Sequence, residues 1–138
     1  MPTKKPKPPA YVFSVGRRKR AVARIRLYQK PGETLVNDRP IAKYFPGLVN
    51  QKLYQTPWQL VNVLEKYHAT VKVAGSGPSG QLQAVIHGLS RALVKLNPEG
   101  FKPILKKHGL LTRDPRKRQR RQAGTGGKAR RQKQSPKR

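Results

Sequence analysis

The last 27 residues, Thr112 to Arg138, restrict this chain more than any other stretch. Twelve of them are Lys or Arg and one, Asp114, is acidic; none is Val, Ile, Leu, Met or aromatic. Such a segment cannot bury enough apolar surface to offset the entropy of ordering its backbone. Alone in water it is expected to be disordered, and it makes physical sense beside a dense array of negative charge. A merely solvated tail is the plainer reading. It is disfavoured because residues 1–111 share the bias and themselves carry a net +16 of the chain's +27. A compact body so basic repels itself. Nucleic acid is the leading neutralising partner, since each phosphate met by Lys or Arg releases counterions. An anionic membrane is the main competitor.

Other classes fall away on composition. The chain has no cysteine, so disulfides and thiolate metal sites are excluded. No run approaches the roughly 18 apolar residues of a bilayer span. Residues 1–10, MPTKKPKPPA, lack the apolar core of a secretory signal and read as a short extended basic arm. His68, His87 and His108 are scattered, as are Glu33, Asp38, Glu65, Glu99 and Asp114. No zinc site, carboxylate pair or nucleophile elbow stands out. The expectation is a non-enzyme without cofactor or metal.

Between the arms, residues 11–111 read as one α+β domain, a small sheet with helices packed on one face. Tyr11–Val15 reads as a strand broken by Gly16, followed by a turn of four cations, Arg17, Arg18, Lys19 and Arg20. In residues 21–28, AVARIRLY, Ala23, Ile25 and Leu27 share a core face, while Val22, Arg24, Arg26 and Tyr28 share the other. Residues 21–36 then suggest a β-hairpin. Asn37–Pro40 reads as a turn, Ile41–Phe45 and Leu48–Gln55 as short helices, and Trp58–Leu64 as helix or strand. His68–Ala74 alternates as a strand of the same sheet. Residues 75–80, GSGPSG, read as a flexible break with Ser79 as N-cap; they lack the spacing of a nucleotide-binding loop. A long helix follows to Leu96, with a polar stripe Gln83, His87, Arg91, Lys95 at steps of four. That stripe is either an ordinary surface or a track for a phosphate backbone. Gly88 sits mid-helix, where it is expected to allow close approach of a strand or of RNA. Residues 98–108 form a shorter helix stopped by Gly109, and Leu110-Leu111 is the last apolar anchor.

Several of these stretches resemble a known family. They are Gly16-Arg17-Arg18-Lys19 with Ala21-Val22-Ala23-Arg24, Asn37-Asp38-Arg39-Pro40 with Tyr44-Phe45-Pro46, and Gly75-x-Gly77-x-Ser79-Gly80-Gln81 through His87-Gly88 and Arg91-Ala92-Leu93. Leu105-Lys106-Lys107, Gly109 to Asp114, Lys128-Ala129-Arg130-Arg131 and the terminal Lys137-Arg138 complete the set. From about residue 11 to the end, the chain resembles the ninth-protein family of the small ribosomal subunit, in its bacterial form. The resemblance implies the two-layer split β-α-β fold shared with other ribosomal proteins, plus an extended basic C-terminal tail. It implies a structural protein bound to small-subunit ribosomal RNA in the head, beside neighbouring head proteins, in the cytoplasm or in an organellar ribosome. Its tail would thread through RNA until Lys137 and Arg138 lie beside the peptidyl-site tRNA.

On that reading, rRNA is met in the body by Arg17, Arg18, Lys19, Arg20, Arg24, Arg26, His87, Arg91, Lys106 and Lys107. In the tail it is met by Arg113, Arg116, Lys117, Arg118, Arg120 and Arg121, then by Lys128, Arg130, Arg131 and Lys133. The tail departs from the family where Gln134-Ser135-Pro136-Lys137-Arg138 replaces Gln-Phe-Ser-Lys-Arg, and where Arg121-Gln122-Ala123-Gly124 replaces Lys-Lys-Tyr-Gly. Both aromatic rings are lost, which leaves charge rather than stacking. No membrane or DNA partner is expected; a DNA-packaging protein of linker-histone type is the alternative.

Overall fold

A computed structural model describes residues 11–124. Five strands form one sheet in the order β1-β2-β5-β3-β4. The strands are β1 (Tyr11–Arg18), β2 (Ala21–Tyr28), β3 (Leu35–Val36), β4 (Arg39–Pro40) and β5 (His68–Ala74). Only β3 and β5 pair in parallel; the other neighbours are antiparallel. The helices are α1 (Ile41–Tyr44), α2 (Leu48–Leu60), α3 (Pro78–Leu96) and α4 (Pro98–Lys107).

Strand β2 alternates as its sequence requires. Ala21, Ala23, Ile25 and Leu27 are fully buried, while Arg24 and Arg26 point to solvent. Ala69, Val71 and Val73 of β5 continue the covered face. The apolar flank of α3, with Leu82, Val85, Leu89 and Leu93, closes over it. At about 25 cal/mol per Å², this burial is the main stabilising term of the fold.

Gly16 does not break the first strand, which runs on to Arg18. The reason lies across the layer. A Cβ on Gly16 would sit 2.0 Å from the Ala84 carbonyl oxygen and 2.2 Å from the Gly88 nitrogen, and one on Gly88 would sit 2.3 Å from Ile25 Cδ1. The two glycines let β1 and α3 touch backbone to backbone, so Gly88 serves a strand.

The hairpin expected over 21–36 is not formed. Strand β2 pairs instead with β1 through the two-residue turn Lys19–Arg20, and β5 lies between β2 and β3. The local pattern specifies which residues face inward, and the pairing partner is chosen by packing elsewhere. A second hairpin joins β3 to β4 through Asn37 and Asp38, both at positive φ, as a tight primed turn demands. The helix expected over Leu48–Gln55 runs on to Leu60 with Pro57 buried inside it, so the first part of Trp58–Leu64, open between helix and strand, is helical and the rest is not. Ser79 is not the N-cap of α3; Gly77 occupies that position and Pro78 opens the helix. Nor is the 75–80 loop loosely held. Asn37 bonds both backbone groups of Val73, and Tyr44 Oη donates to Gln81 Oε1. Gln81 Nε2 in turn donates to the Gly75 carbonyl at 3.0 Å. Helix α4 ends as expected at Gly109, φ +71°.

Candidate nucleic-acid interface

The polar stripe of α3 serves the edge of the sheet. Among the described residues, strand β1 has a partner on one side only, so alternate backbone groups along its other edge need satisfaction. Lys95 Nζ donates to the Phe13 carbonyl at 2.8 Å, and Arg91 Nη1 to the Val15 carbonyl at 2.7 Å. One step further, the Arg17 N–H donates to His87 Nδ1 at 3.3 Å. Three side chains at helical spacing thus seal three successive edge groups at strand spacing. With Nδ1 accepting, the proton of neutral His87 sits on Nε2, 3.3 Å from the Leu111 carbonyl. Burial lowers the His87 pKa below its ordinary 6.5; the Arg91 and Arg113 cations lower it further, against the Leu111 hydrogen bond. His87 and Arg91, expected on rRNA, therefore have protein partners here.

Arg18 does too. Its position on the inward face of β1 leaves it 9% exposed. Its Nε donates to Gln83 Oε1 at 2.5 Å and its Nη1 to the Arg116 carbonyl at 2.7 Å. Asp114 Oδ1 lies 3.3 Å from the same Nη1. Asp114 also accepts from Arg116, through its backbone N–H at 3.0 Å and its guanidinium at 2.8 to 3.1 Å. These bonds, with the nearby cations, hold the Asp114 carboxyl well below its ordinary 3.8. Arg113 reaches the Asp114 and Lys19 carbonyls. The single acid of the tail thus clasps the tail's root to the end of β1.

The clasp brings cations from distant segments together. Lys19 and Arg20 of the turn, Ser76 and residues 116–121 line a cleft of about 850 Å³. Arg20 also lines a neighbouring hollow, with Arg17, Arg24 and Lys72. The two form a basic track from the tail root onto the uncovered face of the sheet. Arg26 lies exposed farther along that face. Lys106 and Lys107 are exposed in the last turn of α4 and line neither hollow. Lys128, Arg130, Arg131, Lys133, Lys137 and Arg138 lie outside the described residues.

Sequence reasoning missed Lys72 as a track residue and Lys95 as an edge seal. The alternation of β5 already placed Lys72 outward; only the register Arg24↔Lys72 sets it beside Arg24. Among the described residues no cluster of His, Asp or Glu could hold a metal ion, and no helix is long and apolar enough to cross a membrane.

Comparison with known proteins identifies a family. The family model described as ribosomal protein S9/S16 matches residues 16–138. The small ribosomal subunit protein uS9 of Maridesulfovibrio salexigens is 47% identical over 115 residues, covering 83% of this chain and 88% of that protein. Its counterpart in Lawsonia intracellularis is 45% identical over 112 residues, covering 81% and 85%. That of Solidesulfovibrio magneticus is 45% identical over 117 residues, covering 85% and 89%. A match that spans both the packed body and the basic tail leaves one conclusion: the chain belongs to the ribosomal protein S9/S16 family.

Proposed function

We propose that this protein is a structural constituent of the small ribosomal subunit that binds the subunit's RNA through the basic track and carries its tail to the peptidyl-site tRNA. The observation that carries the reading is the track itself. Lys19, Arg20, Arg24, Lys72 and residues 116–121 converge from four parts of the chain, with none of the five acids lining either hollow. Such convergence is unfavourable in isolation and is rewarded by phosphate. The chain is not an enzyme; its family is structural. Phosphate contacts carry no sequence information, so a charged tip suits tRNAs of every sequence.

Geometry supports the reach. At about 3.3 Å per residue, the 16 residues after Gln122 span up to about 50 Å when extended, about four times the roughly 13 Å radius of gyration of a domain this size. The Asp114 clasp sets where the tail leaves the body. Lys128, Arg130, Arg131 and Lys133 then meet rRNA along the way, and Lys137 and Arg138 meet tRNA at the end.

Deleting residues 135–138 tests the finer part. Subunits carrying the truncated chain should assemble normally and release peptidyl-site tRNA faster. Unchanged tRNA dissociation would remove the tip's role and leave the rRNA role standing.

A further inference from the structure

Phe13 is unexplained by the fold or by phosphate binding. It stands on the uncovered face of the sheet, on edge strand β1, 46% exposed. Its cross-strand neighbour is Arg26, and the next row along is Val15, Arg24 and Lys72. Lys95 is bound to Phe13's own carbonyl. The row on the other side, Tyr11, Tyr28 and His68, is closed on itself. Tyr28 stacks on His68 with centroids 4.9 Å apart and planes 12° apart. Tyr11 meets Tyr28 edge-on at 5.8 Å, and the Arg26 guanidinium lies 5.2 Å from the Tyr11 centroid. Among the described residues, Phe13 stacks on no other ring.

Strands β1, β2 and β5 contain no acidic residue. An open aromatic face among cations suits an occupant that is flat, apolar and negatively charged within a few ångströms. Unpaired nucleotides supply a base and its phosphates in that arrangement. A second copy of this chain would set +27 against +27. Paired bases are engaged with each other and cannot lie on a side chain, whereas splayed single-stranded bases stack on aromatic rings.

We propose that Phe13 stacks an unpaired base of RNA while Arg24, Arg26 and Lys72 hold the flanking phosphates. The proposal rests on the rRNA-binding reading above. The closing experiment uses the full chain and three probes: a single-stranded ribooligonucleotide carrying one 2-aminopurine, its fully paired duplex, and protein-free small-subunit rRNA. The wild type should bind the single strand and quench the 2-aminopurine. F13L should lose the quench and bind about tenfold more weakly. F13Y should keep both. F13L should also keep the wild-type melting temperature and salt slope, because no phosphate contact is lost. Equal quenching by F13L and wild type would overturn the stacking role, as would wild-type rRNA binding without any quench. Weaker retention of F13L on assembled subunits, with oligonucleotide binding unchanged, would assign Phe13 to a protein neighbour and also overturn it. A wild type with no affinity for rRNA would instead sink the rRNA reading itself.

Discussion

The two faces of the sheet are made by the same strands and behave as opposites. On β2, Ala21, Ala23, Ile25 and Leu27 are fully buried beneath α3, while Val22, Arg24, Arg26 and Tyr28 alternate with them on the uncovered side. On β5, Val71 and Val73 face in and Lys72 faces out. One face supplies stability and the other spends some of it in self-repulsion. Cations in this chain are therefore of two kinds. Arg18, Arg91 and Lys95 bond to the protein's own groups. Arg17, Arg24, Arg26 and Lys72 are exposed on the face that no helix covers. Counting charge does not separate these classes; the place of each side chain in the fold does.

The covered side is the more sensitive to substitution. Gly88→Ala would drive a methyl group to 2.3 Å from Ile25 Cδ1 and 2.9 Å from the Gly16 nitrogen. The backbone of β1 cannot yield as a side chain can. A loss of about 3 kcal/mol, the upper end for overpacking, is expected in thermal or urea unfolding. Wild-type stability in this variant would mean that the layers are not held in contact at this point.

On the uncovered side the expected effect is on binding alone. Changing Arg24, Arg26 and Lys72 together to Gln should leave the melting temperature equal or slightly higher, since like charges are removed. The salt slope of rRNA binding should become shallower by about two to three, at roughly 0.7 to 0.9 per phosphate contact. If the triple variant melts earlier and keeps its slope, these residues belong with the internally bonded class.

A smaller effect sharpens the boundary at the sealed edge. His87 has a pKa below its ordinary 6.5. The unfolded chain therefore binds the proton more readily, and the contribution is complete above 6.5 and lost as pH falls through the folded value. Protonation also removes the Nδ1 acceptor of the Arg17 N–H. A modest fall in melting temperature is expected just below pH 6.5, and His87→Leu should flatten it. The Asp114 clasp responds in the same direction but much lower. Its pKa is also depressed, so its contribution is present above 3.8 and fades only in stronger acid. An identical pH profile for His87→Leu and wild type would show that the edge seal does not depend on this imidazole.

Much of the fold was legible where it is local. The period of two in AVARIRLY named the buried and exposed residues of β2. Gly109 and Asn37-Asp38 announced a helix end and a tight turn. What misled were residues whose role is set by distant atoms. Gly16 looked like a strand breaker because nothing nearby in sequence shows the helix that needs its missing side chain. The stripe Gln83, His87, Arg91, Lys95 stayed open between ordinary surface and phosphate track because the edge of β1 that it seals lies about 70 to 80 residues away in the chain.

The sequence by itself determined that this protein carries a cationic excess in both body and tail. Net charge, the acid-poor tail and the outward arginines of β2 are properties of composition and alternation, and survive any choice of strand order. Only the tertiary structure decided which cations remain available. Strand β1 became an edge, α3 crossed it, and a single acid at Asp114 closed on Arg18 and Arg116. Hydrogen bonds act over about 3 Å, whereas the β1–α3 partners and the Arg18–Asp114 pair are tens of residues apart, so folding has to bring them together before each charge acquires its role.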